Sequence, residues 1–116
     1  MLEKVKVVTL EQAVAAPLCT RRLAHAGAEV IKIERPEGDF ARYYDSAVVG
    51  ESAYFVWLNA GKKSVVLDLR TDRGLSALKQ LIDRADVLVQ NLKPGALAKL
   101  GIDSVSYTHL TLPTKA

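Results

Sequence analysis

The chain has 116 residues, 49% of them hydrophobic and 25% charged, which is enough for one compact domain with its own core and too little for two. Its 16 lysines and arginines are dispersed among 13 acidic residues, so the net charge of +3 forms no basic stripe and nucleic-acid binding is not expected. No apolar run approaches the roughly 18 residues of a membrane span, the opening Met1-Leu2-Glu3-Lys4 lacks the character of a secretory leader, and the single Cys19 cannot form an internal disulfide; a cytoplasmic protein without membrane contact is expected.

Residues 5–10 (Val-Lys-Val-Val-Thr-Leu) are short and rich in β-branched types, the pattern of a mostly buried strand. A short loop over 11–16 leads to Pro17, placed where a helix begins, and Leu18, Arg22, Leu23 and Ala26 recur at helical spacing until Gly27 supplies a C-terminal stop. Residues 29–34 (Glu-Val-Ile-Lys-Ile-Glu) alternate apolar and charged types toward their end and predict a second strand, closed by Arg35-Pro36. Residues 36–50 show no steady period and predict a long surface loop. The apolar, aromatic stretch 52–58 fits either a short helix or a strand, with helix preferred.

Asn59-Ala60-Gly61-Lys62 predicts a turn and residues 64–69 (Ser-Val-Val-Leu-Asp-Leu) a third strand. Thr71 is suited to cap the helix that follows, with Asp72 in its first turn and Leu75, Leu78, Leu81, Ile82 and Ala85 on one face to about residue 84. Residues 86–92 predict a fourth strand, and Pro94-Gly95 opens a last short helix that stops at Gly101. Strand, helix and strand alternate throughout, which predicts an α/β fold: a Rossmann-like, open, largely parallel sheet with flanking helices.

Beyond Asp103 the pattern is lost. Residues 105–115 (Val-Ser-Tyr-Thr-His-Leu-Thr-Leu-Pro-Thr-Lys) resemble a translated sequencing-adapter tail, so residues 1–103 are read as the native portion and 104–116 as a non-native tail, in which His109 receives no role.

In open α/β sheets ligands bind beyond the carboxyl ends of the strands. There the chain places Arg35 after the second strand, Arg70 after the third and Asn91-Leu92-Lys93 after the fourth, with Lys99 about two turns farther on. Small residues, among them Ala13, Ala15 and Ala16, follow the first strand and permit close approach. Cations on one sheet edge, together with helix N-termini at Pro17, Thr71 and Pro94, predict an electropositive edge suited to a polyphosphate. Single cations at strand ends are commonly just solvated; it is their grouping that points to a ligand. A G-x-G-x-x-G fingerprint is absent after the first strand, which disfavours a standard NAD or FAD domain, and there is no Walker P-loop. Cys19 is expected as a small core residue, His25 as a complement to its helix dipole, and Tyr54, Phe55 and Trp57 as core or subunit interface. No metal-ligand spacing surrounds these residues, and no metal is expected.

The segments Ala15-Ala16-Pro17-Leu18-Cys19-Thr20, Gly27-Ala28-Glu29-Val30-Ile31-Lys32-Ile33-Glu34-Arg35-Pro36, Gly38-Asp39, Asn59 through Lys63 with Leu67-Asp68-Leu69, and Ala85-Asp86-Val87-Leu88-Val89-Gln90-Asn91 through Pro94-Gly95 resemble the opening of the class III CoA-transferases, the family of formyl-CoA:oxalate transferases and related acyl-CoA racemases. The resemblance spans about residues 5–103. It implies coenzyme A binding, as acyl-CoA, at the strand ends: Val14 and Ala15 at the adenine, Arg35 at phosphate, Leu67, Asp68, Leu69 and Arg70 flanking the nucleotide, and Asn91, Leu92, Lys93 and Lys99 completing the site. Ala16 in place of glycine, Lys99 in place of arginine and a short glycine run before Asp39 depart from the family pattern and bear on the phosphate geometry.

The resemblance further implies transfer of CoA from a thioester to a small, dicarboxylic acid through an aspartyl anhydride. The attacking aspartate is expected beyond residue 103, so the chain is expected to be inert alone, as an incomplete N-terminal part of a larger fold whose members form interlocked homodimers. Poor solubility of the isolated chain follows from that expectation. Phe40-Ala41-Arg42 and Phe55-Val56-Trp57-Leu58-Asn59 look more like members using itaconate-, mesaconate- or malate-type acids than the oxalate enzymes. The alternatives are an acyl-CoA racemase of the same superfamily and a standalone nucleotide- or CoA-binding module without chemistry of its own.

Overall fold

The computed structural model describes residues 1–11, 15–48, 50 and 52–102. Four parallel strands, β1 (Lys6–Leu10), β2 (Glu29–Glu34), β3 (Lys63–Val66) and β4 (Val87–Gln90), form one sheet in the order β3-β2-β1-β4. Helices α1 (Ala15–His25), α2 (Ala53–Leu58) and α3 (Asp72–Asp83) connect them, α4 (Ala96–Lys99) follows β4, and the architecture is α/β and Rossmann-like, as the alternation predicts.

Parallel strands are covered on both faces, and the two faces here have separate cores. Val8 and Leu10 of β1, Ile33 of β2 and Leu88 of β4 pack against Leu78 and Ile82 of α3, with Ile102 closing the cluster. On the opposite face Val7, Val30 and Val89 meet Ala16, Leu23 and Ala24 of α1. Thr71 caps α3 as expected: its Oγ1 accepts the Gly74 amide at 3.0 Å and donates to the Asp68 carbonyl at 2.8 Å. A Cβ at Gly74 would lie 2.1 Å from that carbonyl oxygen, so only glycine lets the first turn of α3 press against the 67–70 segment.

Helix α1 begins two residues before Pro17, which its first turn tolerates because the N–H that proline lacks has no intrahelical partner there. It ends in a Schellman motif, with Ala28 N–H donating to Leu23 O and Gly27 N–H to Ala24 O, and Gly27 at φ +107°. Strand β3 is shorter than expected: after Val66 the chain leaves the ladder once Leu67 N–H has bonded Glu34 O at 3.0 Å, and residues 67–70 become a loop. The long loop after β2 contains a 3-10 helix (Phe40–Tyr43), whose Ala41 amide is capped by the Asp39 carboxylate. The ambiguous aromatic stretch is helical: Ser52 Oγ and Asp45 Oδ1 accept the amides of Phe55 and Ala53 at its start. Cys19 is exposed rather than in the core, because Ala16, Pro17 and Thr20 occupy the inward positions of α1.

Candidate functional site

The carboxyl ends of the strands frame an open cleft of about 460 Å³. Leu10 and Glu11 come from the end of β1, Ile33, Arg35, Pro36 and Glu37 from β2 and the loop after it, Leu67, Asp68, Leu69 and Arg70 from the loop after β3, and Leu92 from beyond β4. Its walls are leucine, isoleucine and proline side chains with a few charged groups, the composition usual for a small-molecule site, and its volume is within the usual range.

Six of the residues expected at a ligand site therefore meet here: Arg35, Leu67, Asp68, Leu69, Arg70 and Leu92. Asn91 is half-buried, its amide donating to Leu10 O, and Lys93 and Lys99 are exposed; none of the three lines the cleft. Ala15 is the exposed first residue of α1, and Val14 lies outside the described residues.

The lining also departs from the electropositive edge expected. Two arginines face three carboxylates, Glu11, Glu37 and Asp68. Arg70 Nε and Nη2 bond Asp68 at 2.9 and 3.2 Å, and Nη2 reaches Glu37 at 3.5 Å. The loops after β2 and β3 thus bring an acid beside each wall of the cleft. The bonds from Arg70 hold the Asp68 carboxyl below its ordinary pKa, and those to Asp68 raise that of the guanidinium. Arg35 Nε donates to Gly38 O at 2.9 Å.

Behind the cleft is a buried polar cluster that the sequence reading did not assemble. On the α1 side of the sheet, the apolar rows Val7 and Val30 give way toward the carboxyl ends to the buried Thr9, Glu11, Lys32 and Glu34, with the exposed Ser64 at their edge. Glu11 Oε2 accepts from the Thr9 and Thr20 hydroxyls at 2.7 and 2.5 Å, and its Oε1 from Lys62 Nζ at 2.5 Å. Lys32 Nζ, 1% exposed, bonds Asp39 Oδ2 at 2.6 Å and Asn59 Oδ1 at 2.8 Å, with Glu11 Oε1 at 3.6 Å. Lys62 Nζ also reaches Pro17 O and Asn59 Oδ1. Burial pushes the Lys62 pKa down, while Glu11 opposes the shift.

Glu34 joins the same cluster. Arg42 Nε and Nη2 bond its two oxygens at 2.8 and 2.7 Å, Ser64 Oγ donates at 2.5 Å and the Asp39 amide at 3.0 Å. Burial raises its pKa, but these donors outweigh burial and hold it at about 2. Phe55 covers the cations, its ring centroid 3.8 Å from the Arg42 guanidinium and 5.4 Å from Lys32 Nζ. Among the described residues, no buried side-chain nitrogen or oxygen lacks a partner. The available signal was strand parity: Lys32 and Glu34 share a face with Val30 on an interior strand of a parallel sheet, where both faces are covered.

Comparison with known proteins bears on the family and the fold. The chain is 42% identical over 103 residues to the succinyl-CoA:mesaconate CoA-transferase of Haloarcula hispanica, an alignment covering 84% of this chain and 26% of that protein. It is 40% identical over 103 residues to the human succinyl-CoA:glutarate CoA-transferase, covering 87% of this chain and 24% of that one. The chain thus spans about a quarter of the length of the curated relatives it matches. The crystal structure of a CAIB/BAIF family protein from Brucella suis superposes with a TM-score of 0.89 at 36% identity, covering 97% of this chain and 32% of that one. With residues 2–110 also matched by the profile of CoA-transferase family III, this chain belongs to that family.

Proposed function

We propose that the chain is the CoA-binding N-terminal part of a CoA-transferase that moves CoA between an acyl-CoA thioester and a small dicarboxylic acid. The observation that carries the reading is the strand-end cleft in a chain of this family, with Arg35 and Arg70 on its walls. Its leucine-lined walls suit a purine, its two arginines suit phosphates, and Glu37 and Asp68 can accept hydrogen bonds from ribose hydroxyls or the purine amine. Ala15, Asn91, Lys93 and Lys99 belong to the same binding site in this reading, contacting parts of the ligand outside the cleft itself, and Val14 is assigned to that site with them. The relatives named for transfer to mesaconate and glutarate support a dicarboxylic acid as acceptor.

In the whole enzyme an aspartate downstream of residue 103 attacks the thioester carbonyl, expels the CoA thiolate and forms a mixed anhydride, and this chain contributes ligand binding rather than the nucleophile. The enzyme is a cytoplasmic interlocked homodimer in this reading, and residues 104–116 are a non-native tail.

Calorimetric titration of CoA into the full chain tests the binding role. Arg35→Ala and Arg70→Ala are each expected to weaken binding roughly tenfold or more, the loss of one charge-assisted phosphate contact. A folded chain that gives no heat of binding, or two variants that bind as the parent does, would refute it.

A further inference from the structure

The buried cluster and the cleft meet at one segment, residues 34–39. Gly38 N–H bonds Arg35 O at 2.9 Å and Arg35 Nε bonds Gly38 O at 2.9 Å, so the side chain that faces the cleft is tied to its own turn. Gly38 has φ +85°, a conformation that favours glycine, and a Cβ there would lie 2.9 Å from Arg42 Cδ, so a side chain at that position would strain the turn and displace Arg42. The turn is pinned at both ends. At one end Glu34 is the last residue of β2, gripped by Arg42 and Ser64 and bonded by the Asp39 amide. At the other, the Asp39 carboxylate is held by Lys32 Nζ at 2.6 Å, and Asn59 holds Lys32 in turn. A gap of about 20 Å³ lined by Glu11, Glu34, Arg35 and Asp39 puts the cleft arginine and the cluster on either side of a single small space.

We propose that the buried Lys32–Asp39 pair is a positioning device for Arg35, fixing the turn that holds this residue in the cleft wall. A surface arginine on a free loop would lose rotamer and backbone freedom when it took a phosphate; here the turn has been ordered by a pair that never meets the ligand. As a role in CoA binding, this rests on the function proposed above.

The test combines a spectroscopic readout with binding. In the 15N-labelled full chain, the Nε–H signal of Arg35, identified by its loss in Arg35→Ala, reports the bond to Gly38 O. Arg21, whose Nε bonds Trp57 O at 2.7 Å on another part of the surface, is the internal control. In Asp39→Asn, hydrogen exchange at Arg35 Nε is expected to accelerate about tenfold, the loss of one modest hydrogen bond, while Arg21 stays unchanged. The CoA dissociation constant is expected to rise by about the same factor, and Asp39→Asn combined with Arg35→Ala to bind no worse than Arg35→Ala alone.

Should Asp39→Asn fail to fold, the charge-neutral pair Lys32→Met with Asp39→Leu keeps the interior filled and leaves neither partner of the pair behind, and the same readouts apply. Unchanged Arg35 exchange in a folded variant, or binding losses that multiply in the combined variant, would overturn the proposal. So would loss of cooperative melting in the charge-neutral pair, which would make Lys32 and Asp39 part of the scaffold only. If the parent chain binds no CoA, the function proposed above fails while Arg35 exchange still decides the positioning role.

Discussion

Replacing Lys32 by Met removes a cation from the middle of the buried cluster and leaves its partners in place. Lys32 and Asp39 are 1% and 2% exposed, their charged atoms are 2.6 Å apart, and Glu11 is 3.6 Å from the same ammonium. At an effective dielectric constant near 20, unit charges at that shorter distance attract by about 6 kcal/mol, against a desolvation cost of several kcal/mol for each ion. Glu11 keeps Lys62 and two hydroxyl donors after the substitution, whereas Asp39 keeps the Ala41 amide and loses its short cationic contact. Breaking one side of such a pair costs about 3–5 kcal/mol, a large share of the roughly 5–15 kcal/mol that holds a typical domain together.

Lys32→Met with Asp39→Leu leaves neither member of the pair unpaired. It forfeits mainly the cap that Asp39 gives the 3-10 helix, so it is expected within about 2 kcal/mol of the parent. Urea unfolding followed by far-UV circular dichroism at low micromolar concentration measures both. A single variant that loses less than about 1 kcal/mol, or a paired variant as damaged as the single one, would show that the cluster does not carry this energy.

Glu34 has a folded-state pKa of about 2 against 4.5 for an unperturbed carboxyl, so its contribution is full above about pH 4.5 and is lost as pH falls from there toward 2. The total is on the order of 3 kcal/mol, and Glu34→Gln is expected to lower stability at neutral pH and flatten this acid slope in a pH series of unfolding free energies. Leu78→Ala, at a fully buried position of α3, is expected to cost about 2–5 kcal/mol by urea titration. Thr71→Ala should cost about 1 kcal/mol through the lost cap. Gly74→Ala should cost more than Thr71→Ala in the same assay, because its Cβ meets the Asp68 backbone oxygen rather than a side chain that can move.

Most of the framework was legible because local rules and the global fold agree. β2 is bounded by Gly27 on one side and Arg35-Pro36 on the other, and it forms over the residues expected; Thr71 and the apolar stripe through Leu78 and Ile82 likewise marked α3. The strands shortened where ladder partners ended, as at Val66, which depends on the neighbouring strand and not on local propensity. At the cleft, the ends of β2 and β3 supplied Arg35 and Arg70 as expected, but the direction of Lys93 and Lys99 depends on how α4 settles, which one-dimensional spacing does not carry. The charged cluster joins residues as far apart in sequence as Glu11 and Lys62, so only tertiary pairing reveals it. Lys32 and Glu34 carried a warning, as charged residues in the interior row of a sheet covered on both faces.

The cluster also constrains how this sequence can drift. Glu11, Glu34 and Asp39 balance Lys32, Lys62 and Arg42 within one connected set of contacts. A mutation that changes one charge passes through a strained intermediate before a second can restore neutrality. Substitutions at these six positions should therefore arrive in compensating pairs across a family alignment, with Lys32 and Asp39 covarying more strongly than either does with its neighbours along the chain.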